Sequence, residues 1–239
     1  MINQTLDIIL RSSVKVQNMF KTLRRFCVLQ TLCLLGFAPN LPASNPWHKV
    51  NDLPDVQIYT RQEPGTPVVT VKGEGTLDFP IEEVKGVLLN IPRTLEWVER
   101  LREAKILKTI DSQTFITYAH FSSGFFFVKD RDFVNLNSFK FLPETKGYLF
   151  ESHSVEESSM PVKEDYIRGK VNGSSMLITP VEGNKTRFIV VLNSDPMGSV
   201  PKWIVNILVK RIPLRTFQGL KEQLQRVKQE RASKANQEK

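Results

Sequence analysis

The sequence predicts an α+β fold in which a curved antiparallel β-sheet packs around one long C-terminal helix. Strand-like segments, separated by turn residues, follow one another closely from residue 103 to residue 194. Apolar residues then recur at helical spacing from Val200 to Val227. Such a helix must bury its apolar stripe against one face of the sheet, and a strongly curved sheet then leaves a cavity beside the helix.

The first element is an N-terminal segment, residues 1–44, which the sequence predicts to be a targeting signal. Its run 26–37 (FCVLQTLCLLGF) is uncharged and shorter than the roughly 20 residues that span a bilayer. Basic residues from Lys21 to Arg25 precede the run, and prolines and small residues follow it up to Ala43. This order is typical of a secretory signal. We therefore expect export to the periplasm, with cleavage near Ala43 or with the uncleaved segment kept as an anchor.

The start and the cysteine content of the mature chain depend on this segment. Met19 is an alternative start to Met1, because the basic stretch and the apolar run follow it directly. Cys27 and Cys33 are the two cysteines of the chain, and both lie in the apolar run. A chain cleaved near Ala43 would therefore contain no disulfide, thiol nucleophile or cysteine-bound metal. A buried or interfacial N-terminal helix is the alternative interpretation of the segment.

Residues 45–230 are predicted to form a single domain, and residues 231–239 a polar tail that frays. No internal repeat, low-complexity tract or long linker is visible after residue 45. The domain begins with two strand-like segments, 55–61 and 67–77, around a Pro-Gly turn.

A helix follows this pair of strands. We expect its N-terminus at Asp78 or Phe79, because Glu82 and Glu83 then lie in the first turn, where the helix dipole favours acidic side chains. The helix should end at about Leu89, before a proline and a short turn.

Six strands and the long helix complete the domain. The predicted strands are 103–111, 114–122, 131–142, 147–156, 165–179 and 185–194. Pro213 lies in the middle of the helical pattern and should kink or break the helix there.

The net charge of +8 is concentrated at the two ends of the chain. Residues 1–44 contain five basic residues and one acidic residue, and residues 202–239 contain ten basic and three acidic residues. Nucleic-acid binders usually interleave basic and aromatic residues on an exposed sheet, so this distribution argues against a nucleic-acid partner. The basic C-terminal stretch, with Lys210, Arg211 and Arg215, is either a solvated helix face or a surface that docks on anionic membranes.

Four motifs, in the same order along the chain, resemble those of START (steroidogenic-acute-regulatory-related lipid transfer) domains. They are the helix and turn with 88–90 (LLN) and 96–98 (EWV), the strand 128–134 (VKDRDFV), Pro161 with 168–169 (RG), and the stretch 195–206 (DPMGSVPKWIVN). The resemblance covers roughly residues 50–225, and the signal-like start is similar to bacterial-type members that carry an export signal.

The resemblance implies a helix-grip fold of the START and Bet v 1-like type, with an internal hydrophobic tunnel closed by the C-terminal helix. It implies binding, and possible transfer, of one lipid or other hydrophobic molecule without chemistry or cofactor. We also expect a monomer. The wider helix-grip superfamily includes polyketide cyclases and aromatases, so an enzyme acting on a hydrophobic substrate is the alternative. Such an enzyme would need a polar pair, for example His120 with Arg131, inside the tunnel.

The segment 121–130 is predicted to gate this tunnel. Gly124 supplies backbone freedom, and three consecutive phenylalanines supply apolar surface on a predicted loop. A strand buried on both faces is the alternative for this segment. The candidate ligand-binding residues lie in or beside this loop, in the turn after the first helix, and on the C-terminal helix, where ordinary core packing is the alternative role. They are Trp97, His120, Phe121, Phe125, Phe126, Arg131, Trp203, Ile207 and Phe217.

The charged and titratable candidates have two interpretations each. Arg131 and Asp132 are neighbours in a strand, so their side chains point to opposite faces, and a charge that faces the interior needs a partner. Arg131 and Arg168 are therefore expected either in structural ion pairs or at a phosphate or carboxylate of a ligand. His120 is either a hydrogen-bonded core histidine or a ligand contact. The chain has three histidines and no metal-binding or nucleophile motif, so no metal site and no catalytic residue are predicted.

Overall fold

The computed structural model describes residues 45–50, 53, 55–63, 68–199 and 202–237, with the side chains of 202–210 excepted. The predicted targeting signal lies outside these residues. The elements, in chain order, are β1 (His48–Lys49), β2 (Val56–Gln62), β3 (Val69–Leu77), α1 (Ile81–Leu89), a 3-10 helix (Ile91–Glu96), β4 (Leu101–Thr109), β5 (Thr114–Phe121), β6 (Asp130–Leu142), β7 (Gly147–Ser154), β8 (Tyr166–Arg168), β9 (Lys170–Val181), β10 (Lys185–Asp195) and α2 (Lys202–Gln237).

All of the described strands belong to a single sheet. Its order is β1-β2-β3-β10-β9-β7-β6-β5-β4, and every pair along this path is antiparallel. The short strand β8 lies off the path and pairs with β6 in parallel. The predicted α+β class, a large antiparallel sheet with a long C-terminal helix, is confirmed.

The predicted strand 165–179 is two strands in the structure. They are separated at Gly169, where the ring of Phe133 occupies the place that a Cβ atom would take. The Gly169 N–H donates to the carbonyl oxygen of Asp132 at 2.9 Å. Before Gly169 the chain pairs with β6, and after Gly169 it pairs with β7.

The start of α1 differs from the prediction by one or two residues. The N-cap residue is Pro80, and it makes no side-chain capping bond. Proline is tolerated here because the N–H groups at the start of a helix have no acceptor within the helix, so the missing N–H of proline costs no hydrogen bond. Asp78 pairs with Lys185 instead, at 2.8 Å. The acidic first turn, with Glu82 and Glu83, is confirmed.

Pro213 was predicted to kink or break the C-terminal helix, and in the structure α2 does not break there. Pro213 lies inside the helix and is buried against β3, with its Cβ atom 2.9 Å from the place of a Cβ on Gly73. We attribute the continuity to this packing, which holds the helix on both sides of the proline. The residues from Arg231 onward, predicted to be a polar tail that frays, are helical through Gln237 in the structure. Most of the last residues of α2 are good helix formers.

The main core lies between the sheet and the two α-helices. It contains Val56, Leu77, Phe79, Val84, Val87, Ile178, Phe188, Val190, Phe217, Leu220 and Leu224. A second, smaller cluster of Ile116, Tyr118 and Val134 lies on the other face of β5 and β6, where Val155 and Met160 cover it. The sheet therefore carries an apolar cluster on each face, and the second one lies near the edge formed by β4. Among the described residues, none of the helices is both long and apolar enough to cross a bilayer.

Candidate functional site

Strand alternation assigns the side chains of β5 and β6 to two faces. Phe121 is paired with Arg131, and Ala119 with Phe133, and these side chains share the face that looks toward α2. His120 and Asp132 form the pair between them, so they lie on the opposite face with Tyr118. We call the face toward the helices the inner face, and the other the outer face.

Two adjoining cavities lie on the inner face. The first, of about 280 Å³, lies between the sheet and the region from α1 to the 3-10 helix, and we call it the inner chamber. The second, of about 410 Å³, lies between the sheet, the β5–β6 loop and α2, and we call it the outer chamber. They share five lining residues, Val98, Ala119, Phe121, Ser174 and Leu192. Together they are of the size and apolar character that bound hydrophobic ligands require.

The walls of the inner chamber are mostly aliphatic and aromatic, and its floor is polar. The wall includes Leu88, Leu89, Ile91, Phe115, Phe150, Met176 and Val190. The floor lies where β5, β6, β7 and β9 run side by side, and it contains Thr117, Asn137, Ser152 and Ser174. The amide nitrogen of Asn137 donates to the Thr117 hydroxyl at 2.8 Å.

Arg131 borders the outer chamber as a buried cation. Its guanidinium donates to the carbonyl oxygens of Pro196 at 3.2 Å, Met197 at 3.3 Å and Lys129. In the part of the chain that the structure describes, it forms no ion pair with a carboxylate. Burial lowers the pKa of Arg131, while the charge of Asp130 opposes that shift. Arg131 therefore ties the turn before α2 to strand β6.

The mouth of the outer chamber carries a charged cluster. Glu99 lies 2.9 Å from Arg211 and 3.9 Å from Arg215, so the carboxylate bridges two successive turns of α2. These two arginines are among the residues predicted to dock on membranes. The side chain of Lys210 lies outside the described residues.

The β5–β6 loop, residues 122–129, stands beside this mouth. Phe126 is fully exposed and Phe127 is 59% exposed, and neither lines a chamber. Arg100 holds the loop from below, since its guanidinium donates to the Ser123 carbonyl and lies over the Phe125 ring. The loop therefore presents two aromatic rings to the solvent, and these rings pack edge to face with their centroids 5.2 Å apart.

Asp130 fixes the other end of this loop. Its carboxylate accepts a hydrogen bond from the Ser123 N–H at 2.8 Å and contacts His120 Nε2 at 2.9 Å. Burial works to raise the pKa of Asp130. The hydrogen bonds from Ser123 and His120 together outweigh the effect of burial, so the pKa is lowered. His120 also stacks on Tyr166, with ring centroids 4.2 Å apart.

The structure brings two of the predicted ligand-binding residues, Phe121 and Arg131, to the chamber lining. It places His120 on the outer face, where it pairs with Asp130, so His120 and Arg131 cannot form a pair inside the cavity. Phe125 and Phe126 lie in the loop and outside the lining.

The other predicted site residues belong to helices or their neighbourhood. Phe217 is buried in the main core against Phe188, and Trp97 packs at the edge of that core. The side chains of Trp203 and Ile207 lie outside the described residues.

The structure resolves the alternatives for Arg168. The fully buried Asp132 carboxylate receives two hydrogen bonds from Arg168, at 2.9 and 3.0 Å, on the outer face. Arg168 also donates to the Met160 carbonyl at 3.1 Å, so it holds the loop before β8 against the sheet. Arg168 is therefore part of a structural ion pair.

Sequence reasoning missed the polar floor of the inner chamber. Its residues are common types, and none carries a motif. The signal that could have found them is the alternation of β6, because Arg131 on the inner face puts Asn135 and Asn137 there as well. The described lining of both chambers contains no His, Cys or Asp side chain.

These features define a class of protein, a helix-grip domain in which a sheet and a C-terminal helix enclose a mostly apolar cavity. The START domain model matches residues 40–231, so the chain belongs to the START domain family. Solved structures show the same fold. Human StAR-related lipid transfer protein 5 superposes with a TM-score of 0.70 and 19% identity, covering 88% of this chain and 99% of that chain. The STAR-related lipid transfer protein from Xanthomonas axonopodis gives 0.66 and 20%, covering 75% and 98%. The predicted helix-grip fold is confirmed.

Curated relatives are similar to about half of the chain or somewhat more. The chain is 30% identical over 140 residues to the steroidogenic acute regulatory protein of Xenopus laevis, covering 56% of this chain and 48% of that protein. It is 26% identical over 135 residues to START domain-containing protein 10 of Mus musculus, covering 54% and 43%. The chain thus spans about half the length of the curated relatives it matches.

Proposed function

We propose that this protein binds a single lipid or other hydrophobic molecule in the two adjoining chambers and carries it between membranes. The observation that supports this most directly is the pair of connected chambers on the inner face. Their mostly apolar lining would hold a molecule of low water solubility, because burial of apolar surface is the main source of binding free energy. Membership of the START family also supports a lipid carrier, since a solved structure with this fold is named a lipid transfer protein.

A carrier is favoured over an enzyme on the same fold. An enzyme that cyclises or hydrolyses its substrate needs an acid, base or nucleophile in contact with the reacting atoms. The acidic side chains at the described lining, Glu99 and Glu151, are engaged with Arg211 and Lys140 respectively, and Glu151 is exposed on the outer face. We therefore assign no catalytic residue.

The exchange step would take place at a membrane surface that contacts the mouth of the outer chamber. Phe126 and Phe127 would insert into the interface, and Arg211 and Arg215 would meet anionic head groups. The N-terminal segment is part of the same proposal, since its signal-like order would deliver the domain to the periplasm or anchor it there. We expect the domain to act as a monomer and without nucleic acid.

Two measurements test the carrier function. The first is extraction of the purified protein with organic solvent, followed by mass spectrometry, which should find a reproducible lipid at up to one equivalent. The second is transfer of a fluorescent lipid between donor and acceptor vesicles, which the protein should accelerate in proportion to its concentration.

A matched pair of variants ties the activity to the chambers. Ala119 lies at the junction of the two chambers, so Ala119→Trp should fill the passage and abolish loading. Ala232 is exposed on α2, so Ala232→Trp should leave loading and transfer unchanged. Equal transfer by both variants, or an empty protein that turns over an added polyketide-like substrate, would contradict the proposal.

A further inference from the structure

The polar floor of the inner chamber is a built feature of four neighbouring strands. Asn137 of β6 is the direct partner of Ser152 of β7, and Ser152 is the direct partner of Ser174 of β9. Their side chains therefore form one continuous row across the inner face of the sheet. Thr117 of β5 joins the row through its hydrogen bond from Asn137.

This row keeps unused hydrogen-bonding capacity. The Asn137 amide nitrogen is saturated, because it donates to Thr117 Oγ1 and to the Asn135 carbonyl oxygen at 3.0 Å. The Asn137 amide oxygen has no donor among the described residues. The Thr117 hydroxyl accepts from Asn137 and keeps its own proton for another acceptor. The hydroxyls of Ser152 and Ser174 form no hydrogen bond within the described part of the chain. The floor thus offers at least one free acceptor and several free donors.

In the next row of polar side chains, the two side-chain oxygens are already engaged within the sheet. Ser154 donates to the Asn135 amide oxygen at 2.9 Å and accepts from the Val171 N–H at 2.8 Å. Asn135 and Ser154 are partners in the β6–β7 register, so this hydrogen bond joins the two strands within the sheet. The Asn135 amide oxygen is therefore occupied, whereas the Asn137 amide oxygen, which faces the inner chamber, has no donor among the described residues.

The inner chamber also lacks a counter-charge. Of the residues that line it in the described part of the chain, Glu151 alone is ionisable apart from the Tyr118 phenol. The Glu151 side chain is exposed and pairs with Lys140 at 3.2 Å, so its carboxylate lies on the outer face. An ionised head group on this floor would be buried without an opposite charge, which costs far more than burial of a hydrogen-bonded neutral group.

We infer that the inner chamber selects a ligand with a small, uncharged polar end, such as a hydroxyl or a carboxamide, which both donates and accepts hydrogen bonds. This inference rests on the proposed carrier function. The polar end would meet the Asn137 amide oxygen and the hydroxyls of Thr117, Ser152 and Ser174. The apolar body would extend through the junction at Ala119 into the outer chamber. Asn137 is then the specificity-determining residue, because it alone presents a free amide oxygen.

A competition experiment tests this head-group selection. The full-length protein is incubated at pH 8 with vesicles that contain equal amounts of 1-hexadecanol, hexadecanamide, hexadecanoate and hexadecylammonium. It is then separated from the vesicles, and the bound molecules are extracted and counted by mass spectrometry. We expect the two uncharged probes to exceed each charged probe by at least about tenfold, since an unpaired buried group costs about 1–3 kcal/mol or more.

Variants separate the floor from the rest of the protein. Asn137→Leu should reduce the preference for uncharged probes by about tenfold, and Asn172→Leu is its matched control, because Asn172 is exposed and lines neither chamber. Thr117→Val, which keeps the side-chain shape, provides a second test if Asn137→Leu fails to fold.

The possible outcomes are distinct. Loading of all four probes without preference, or an equal preference in the Asn137, Thr117 and Asn172 variants, would overturn the head-group inference and leave the carrier function standing. Preferential loading of a charged probe would also overturn it. Failure of the wild-type protein to load any probe or any cellular lipid would remove the carrier function itself.

Discussion

The ion pair between Asp132 and Arg168 should be worth far more than its surface counterparts, and Arg168→Met tests this. Asp132 is fully buried and accepts both hydrogen bonds from a guanidinium that is 22% exposed. Removal of the arginine would leave a carboxylate in the second cluster without a cation. Breaking a buried pair in this way costs about 3–5 kcal/mol. For a domain of this size, 1 kcal/mol corresponds to roughly 2–4 °C, so the melting temperature should fall by roughly 6–20 °C.

The assay is thermal and urea unfolding of wild type and variants, followed by circular dichroism. Arg187→Met is the matched control, because its pair with Glu74 spans 3.3 Å at a 54% exposed side chain, where about 1 kcal/mol or less is expected. Asp132→Asn added to Arg168→Met removes the buried charge and should recover part of the loss. Equal effects of the Arg168 and Arg187 variants, or a loss of lipid loading without a loss of stability, would refute the structural role of Arg168.

Three further predictions concern the helix and the loop. Gly219→Ala should destabilise the domain by about 1–3 kcal/mol in urea unfolding, because the new Cβ would collide with the carbonyl oxygen of Trp97, which is backbone and cannot swing away. Phe126→Ser should leave the unfolding curve unchanged and lower vesicle affinity about tenfold in a sedimentation assay, because the ring is fully exposed in the free protein. The lowered pKa of Asp130 means that its hold on the loop is present above the ordinary Asp pKa and is lost as pH falls through the folded value. Protection of the Ser123 amide from hydrogen exchange, relative to its intrinsic rate, should therefore fall only below the ordinary Asp pKa of about 3.9, and Asp130→Asn should show the lower protection already at neutral pH.

The order and type of the elements could be predicted from the sequence, because both depend on local periodicity. Alternation located β2 to β7 and β10 to within a few residues, and the helical spacing after Val200 located α2. Helix boundaries and breaks were less predictable, since they depend on contacts distant in sequence. Pro213 does not break α2 because β3 supports it, and nothing near Pro213 in the sequence reports that support.

The face of the sheet on which each site residue lies was harder to predict from the sequence. Alternation required Arg131 and Asp132 to face opposite ways, but it could not assign which one faces the cavity. The assignment depends on the outer-face cluster and on Arg168, which is far away in sequence and pairs with Asp132. Once that pair fixes the register, His120 is forced to the outer face and Asn137 to the inner one. A single buried ion pair therefore decides which polar residues a ligand can reach.

The cavity itself follows from where α2 can approach the sheet closely. A Cβ on Gly75 would lie 2.5 Å from the ring of Phe217, and a Cβ on Gly73 would lie 2.9 Å from Pro213. Because glycine has no side chain, these two positions of β3 allow α2 to approach the sheet closely, and α2 packs on β3 there. The strands on the other side of the sheet carry side chains such as Phe115, Phe121 and Phe133 on their inner face. The space between them and α2 is then too wide for the helix to fill, and it remains as the two chambers. The apolar volume is thus a consequence of one-sided helix packing, and the polar row at Asn137 lies at the end of the sheet that the helix does not cover.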